Sequence, residues 1–414
     1  MSLPRSQPRG EGSTADVFHR VQRTGGSSLA VTLPKPWAKS MHVSDGDVVR
    51  MRNLGEGRLE ITPATPSGAR AGEKVLSIRV DHSAPNMICR LLVGAYVTGQ
   101  DLVRLSTAEA FTTSQLEEIN QTVARVLGMN VVEERPNRIE IQVFVDPARH
   151  RLPHLRDRVA RLLRTKIGLC RRILAGTTPP PSFRELGRLE EETDRIYLLM
   201  VRQLLLASDD FRVAQDIGVP SHHHQIGERL VAKILEMMGD RWFDTGRELL
   251  GAHPGLRRLP SAAGADLDRL FERFDALLAR TMEAFSHLSV EEANATLNEL
   301  REELDQQSAF SHLQSRRYPD VRTAMLVQRI VSNLSSAWEM LVAVNEVALN
   351  RFVEPERIGG VRPERPVILG PGNGSPPTCP RNPGLAILGS RGVETPRTRG
   401  ERRWARLPPR KRDT

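Results

Sequence analysis

From about residue 150 to residue 353, apolar side chains recur with a period near 3.6, and no other feature constrains the fold as strongly. The pattern predicts helices over 152–175, 182–207, 221–249, 265–288, 290–314 and 319–350. Two breaks, "GTTPPPS" and "AHPGLRRLPSAAG", divide them into two sets of three. Short connections favour antiparallel neighbours. The reading is therefore two up-down three-helix bundles in tandem, over 150–250 and 265–352.

The chain is not helical throughout. Near the N-terminus, "HRVQRTGGSSLAVTLPKPWAKS" crowds a basic strand, a turn, a second strand and a Pro-led helical start into His19–Ser40. "FHRVQRT" and "LAVTL" predict strands around "GGSS", and Pro34 suits a first helical position, where its missing N–H costs little. "VVRMRN" and "RLEITP" flank "LGEG" as a second hairpin. A unit over 16–65 with so few apolar residues makes a small core and should need a partner to cover its apolar face.

Between these regions, 74–146 reads β-α-β-α-β-β, a small α/β sandwich. "KVLSIRVD" and "DLVRLS" alternate as strands, and a helix ends on Gly99. A second helix carries an expected capping box, Ser114 with Glu117, and ends at Gly128. "NVVEE" and "RIEIQVFV" pair around "RPN". The fold class is thus multidomain and mainly α, with a β-rich N-terminal domain and a small α/β domain.

Charge separates the ends from the middle. Residues 1–65 carry nine Lys/Arg against six Asp/Glu, and 354–414 carry thirteen against six, whereas 66–353 are near neutral. A phosphate-bearing partner would meet the ends first. Only six of the 59 basic residues are lysine, so the Arg-rich tail is equally well read as coding bias. An arm over 1–15 and the Pro/Gly/Arg-rich tail over 355–414 are expected to be disordered. No apolar run is long enough for a membrane span, and the first residues lack the apolar centre of a secretory signal, so a soluble, cytoplasmic protein without membrane insertion is expected. Cys89, Cys170 and Cys379 are far apart and form no CxxC pair.

Two constellations could carry chemistry. Glu190 and Asp194 stand four apart on one predicted helix, and Glu236 and Asp240 repeat that spacing on the next. Antiparallel packing would gather four carboxylates inside the first bundle, a donor set for a hard or borderline cation. Such pairs are also common on solvated helix faces. The run His222–His224 sits at a helix start, where it offers either one or two ligands or a solvated first turn. No GxSxG, P-loop or HExxH is present, and no enzymatic activity is expected.

Two family resemblances follow from these residues. "RVQRTGGSSLAVTLPKPWA" with "VSDGDVV" resembles a SpoVT/AbrB-type swapped-hairpin domain. "AKILEMMGD" and "LEEETDRIYLLMVRQL" resemble the paired acidic helices of PhoU, the phosphate-uptake regulator. The whole order is similar to archaeal-type phosphate uptake regulators. The resemblance implies an intertwined homodimer on DNA, with Arg20, Arg23, Ser27, Ser28, Lys35 and Lys39 as contacts. Arg20 and Arg23 should project from opposite strand faces, their spacing being odd. It also implies an iron or zinc cluster on Glu190, Asp194, Glu236 and Asp240. The second bundle departs from the motif, with Gln328 and Ser332 in place of acids and Arg301 four residues before Asp305. The function implied is a DNA-binding transcriptional regulator of phosphate uptake and homeostasis. The alternative is a module that docks on a phosphate ABC transporter or a sensor kinase, its N-terminal domain serving only to dimerise. A third reading is an antitoxin-like N-terminal unit, against which the long helical region argues.

Overall fold

A computed structural model describes residues 18–26, 28–55, 58–63, 73–81, 83–146, 149–176, 183–219, 221–256, 259–305 and 308–353. The expected arm and tail lie outside these residues, as does Ser27.

In the N-terminal region β1 (Gln22–Thr24) pairs antiparallel with β2 (Ser28–Ala30), Arg23 lying opposite Leu29. Gly25 turns the chain at φ +69°, where a side chain would be strained. Both strands are shorter than their sequence suggested. The short helix α1 (Lys35–Ser40) has Pro34 as its N-cap rather than its first residue, and Pro36 takes the first-turn place. A second hairpin pairs β3 (Val49–Gly55) with β4 (Arg58–Pro63). No residue of 18–63 whose side chain is described is buried. Val21, Leu29 and Val48 are 62–72 % exposed, which shows how little core this segment makes by itself.

The α/β unit runs β5 (Val75–Arg79), α2 (Met87–Val97), β6 (Leu102–Ser106), α3 (Thr113–Arg125), β7 (Met129–Arg135) and β8 (Arg138–Val143). Its sheet order is β5-β6-β8-β7, with β5 and β6 parallel and the other pairings antiparallel. Strand alternation sends Val103, Leu105, Ile139 and Ile141 into a core with Ile88, Leu92 and Ile119 of the two helices. The capping box uses Thr112 and Gln115, not Ser114 and Glu117. The sequence holds both patterns, but Thr112 is the last residue in extended backbone (ψ 157°) and so occupies the cap.

The helical body contains α4 (Leu152–Leu174), α5 (Phe183–Asp209), α6 (Phe211–Asp216), α7 (His222–Leu256), α8 (Ser261–His287), α9 (Val290–Asp305), α10 (Ser308–Ser315) and α11 (Val321–Val353). The short α6 was not expected from the sequence; Asp210 caps it by accepting from the Arg212 N–H at 2.8 Å. Helix α7 continues past the expected stop at 249, and α8 begins four residues early. Helices α4, α5 and α7 pack on one another, as do α8, α9 and α11. The two sets share one core, because α7 lies along α11 and α4 along α8. Trp242 meets Phe271 edge-on with ring centroids 5.0 Å apart, and Trp338 meets Phe274 at 6.2 Å.

Helix α5 is the common support of the α/β unit. Its buried Arg202 donates through Nη1 to the carbonyls of Tyr96 (2.6 Å) and Gln100 (3.0 Å), and its guanidinium lies 5.1 Å above the Tyr96 ring. Two turns earlier, Arg195 Nη2 donates to the Ala124 carbonyl at 2.5 Å.

Candidate cation site and N-terminal basic surface

The acidic site is built where α5 faces α7. Glu190 and Asp194 lie one turn apart on α5, and Asp240 approaches from α7. One ligand oxygen from each of the three falls within 4.8 Å of the others. Glu236 does not join them: its Oε2 accepts from Lys233 Nζ at 2.5 Å. Helix α4 supplies the side chain that the sequence reading missed. Lys166 is fully buried, and its Nζ pairs with Glu190 Oε2. A signal for it existed, since Lys166 falls on the same stripe of α4 as buried Leu163, Ile167 and Cys170, where a charge requires a partner.

Burial and neighbouring carboxylates both act on the acids of this site. Burial pushes the Glu190 carboxyl up to about 7; the Lys166 charge opposes this, and a hydrogen bond with Asp240 adds to it. Asp194 is exposed as a residue, but partial desolvation of its carboxyl pushes it up to about 6, helped by the charges of Asp240 and Glu236. The donors are all carboxylate oxygens, with no His or Cys. Such a set fits a hard cation such as Mg2+ or Mn2+ better than zinc. Three carboxylates fit one ion. They supply too few ligands for the cluster that the four-residue motif implied.

The histidine run serves other partners. His222 Nδ1 lies 3.2 Å from Gln225 Oε1, and His224 Nε2 lies 2.5 Å from Arg351 Nη2. In the second set Arg301 Nη2 donates to Glu346 at 2.8 Å, and Gln328 and Ser332 are exposed. The side chain of Asp305 lies outside the described residues. Among those residues only Glu190, Asp194 and Asp240 converge as possible metal ligands.

The predicted basic contacts are spread over the N-terminal region. Arg23 lies on β1, Ser28 opens β2, and Lys35 and Lys39 lie on α1, all exposed. Arg20 precedes β1, so the alternation argument placing it on the face opposite Arg23 does not apply. It too is exposed. A family model described as antidote-toxin recognition MazE, bacterial antitoxin, matches residues 22–69. The match supports an N-terminal AbrB/MazE-like domain, a type that dimerises and binds DNA. No curated protein and no solved structure matches the chain. Among the described residues no helix is long and apolar enough to cross a membrane.

Proposed function

We propose that this chain is a DNA-binding transcriptional regulator of phosphate uptake and phosphate homeostasis. One observation carries the DNA-binding part. Arg20, Arg23, Lys35 and Lys39 are exposed together with apolar Val21, Leu29 and Val48, in a segment most of which matches a MazE-type domain. Such a unit gains a core when two copies exchange hairpins, and the paired arms then present each arginine twice. The phosphate part rests on the resemblance of the two acidic helices to PhoU, and it is supported by three of their four acids, Glu190, Asp194 and Asp240, lying close together. In this reading those residues hold one divalent cation, which would fix α5 against α7 and bring no enzymatic step.

Genome-wide DNA occupancy under high and low phosphate tests the reading. Occupancy at promoters of phosphate-transport genes, changing with phosphate, is the expected result. Absence of occupancy anywhere overturns it and leaves the docking reading, in which a phosphate transporter or sensor kinase is the partner. The MazE match also suits an antitoxin. The helical body argues against this, because it is far larger than such a short antidote needs.

A further inference from the structure

We propose that Lys166 is a built-in cation of the acidic site, whose ammonium competes with a divalent metal ion for Glu190 and holds the site to a single ion. This rests on reading Glu190, Asp194 and Asp240 as a cation site. Lys166 reaches the cluster from within the first helix set, and its side chain has no solvent exposure. An ammonium so placed is stable only when paired, and Glu190 is the carboxylate that pairs with it.

The helices make room for this. At Gly239 an added Cβ would lie 3.1 Å from Lys166 Nζ and 3.3 Å from Thr193 Cγ2, so α7 leaves the space for the ammonium by having no side chain there. Asp240, the next residue, faces the cluster. The opposite side is open, Asp194 being exposed. The ammonium therefore closes the inner end of the site and leaves the outer end for an incoming ion.

Charge balance gives the expected stoichiometry. With a metal ion bound and all three carboxylates ionised, the ammonium leaves two negative charges, which one divalent ion neutralises. Glu236 has its own counter-charge in Lys233 and acts on the site only at a distance, through Asp194. Removing the ammonium leaves a third charge unbalanced and frees Glu190 for the metal.

The test is Mn2+ titration of the purified full chain by calorimetry. Wild type is expected to bind one ion. Lys166→Met and Lys166→Gln, both neutral and similar in length, are expected to bind at least about tenfold more tightly. Lys166→Gln keeps a hydrogen-bond donor for Glu190, so it guards against a folding failure of Lys166→Met; far-UV circular dichroism checks both. Lys166→Arg keeps the charge and should stay within about threefold of wild type. Binding by a neutral variant where wild type shows none also supports the proposal. Unchanged or weaker binding in the neutral variants overturns it, with wild-type binding intact. Silence from wild type and every variant instead removes the cation-site reading, and the proposal with it.

Discussion

Replacing Glu228 with glutamine is expected to destabilise the helical body by about 3–5 kcal/mol, measured by urea unfolding at 222 nm. Glu228 stands on α7 with a side chain that is 1 % exposed. Its Oε1 accepts from Arg156 Nη1 of α4 at 2.8 Å and from Arg351 Nη1 of α11 at 3.2 Å. Arg156 Nη2 also donates to Ser286 Oγ of α8 at 2.8 Å. Both guanidiniums lie over the Phe285 ring, at 4.8 and 4.5 Å. One carboxylate thus ties four helices from both sets. Glutamine keeps the shape but removes the negative charge, and two nearly buried guanidiniums lose the buried carboxylate that they share. Loss of that shared counter-charge, rather than of the hydrogen bonds, sets the size of the effect.

The pH dependence has a definite sign. Burial alone would raise the Glu228 carboxyl. The hydrogen bond with His224 and the charges of Arg156 and Arg351 outweigh it and hold the carboxyl below its ordinary value of 4.5. A group lowered in the folded state contributes stability above its unfolded value, and that stability is lost as pH falls through the folded one. Wild type should therefore lose stability below about pH 4.5 more steeply than Glu228→Gln, which lacks the titrating group.

The helical body was legible because period is a local signal. Runs such as Leu163, Ile167 and Cys170 declare a buried stripe without knowledge of what covers it. What covers it was not legible. For Glu190, Asp194 and Asp240, two i, i+4 spacings on neighbouring predicted helices allowed a shared face but allowed two solvated faces equally. The diversion of Glu236 to Lys233 depends on rotamers, which sequence spacing does not specify. Glu228 and its two arginines lie 72 and 123 positions apart. No periodic pattern joins them, and only the packing of both helix sets brings them together. The Thr112 cap shows the local limit, since two overlapping capping patterns compete and backbone conformation decides between them.

Changing Arg20 and Arg23 together to alanine is expected to lower DNA affinity by roughly 10²–10³-fold at moderate salt, measured by fluorescence anisotropy. Both side chains are exposed, and Arg23 stands on a strand only three residues long, so the substitution removes charge and no core. Folding stability should stay within about 0.5 kcal/mol of wild type. In a hairpin-exchanged dimer each change occurs twice, and four guanidiniums leave the surface. At about 1 kcal/mol for each lost contact the total approaches 4 kcal/mol, which sets the upper end of the range. The dependence of log affinity on log salt should flatten by roughly 2–4, depending on how many of the four meet phosphate rather than base edges. Lys35→Ala with Lys39→Ala should give a smaller loss and a similar flattening, because ammonium groups on a short exposed helix meet phosphate oxygens as point charges. Full affinity and an unchanged salt slope in the double arginine variant would exclude this surface as the DNA contact. The N-terminal domain would then be a dimerisation device, and the regulatory action would pass to the helical body and whatever docks on it.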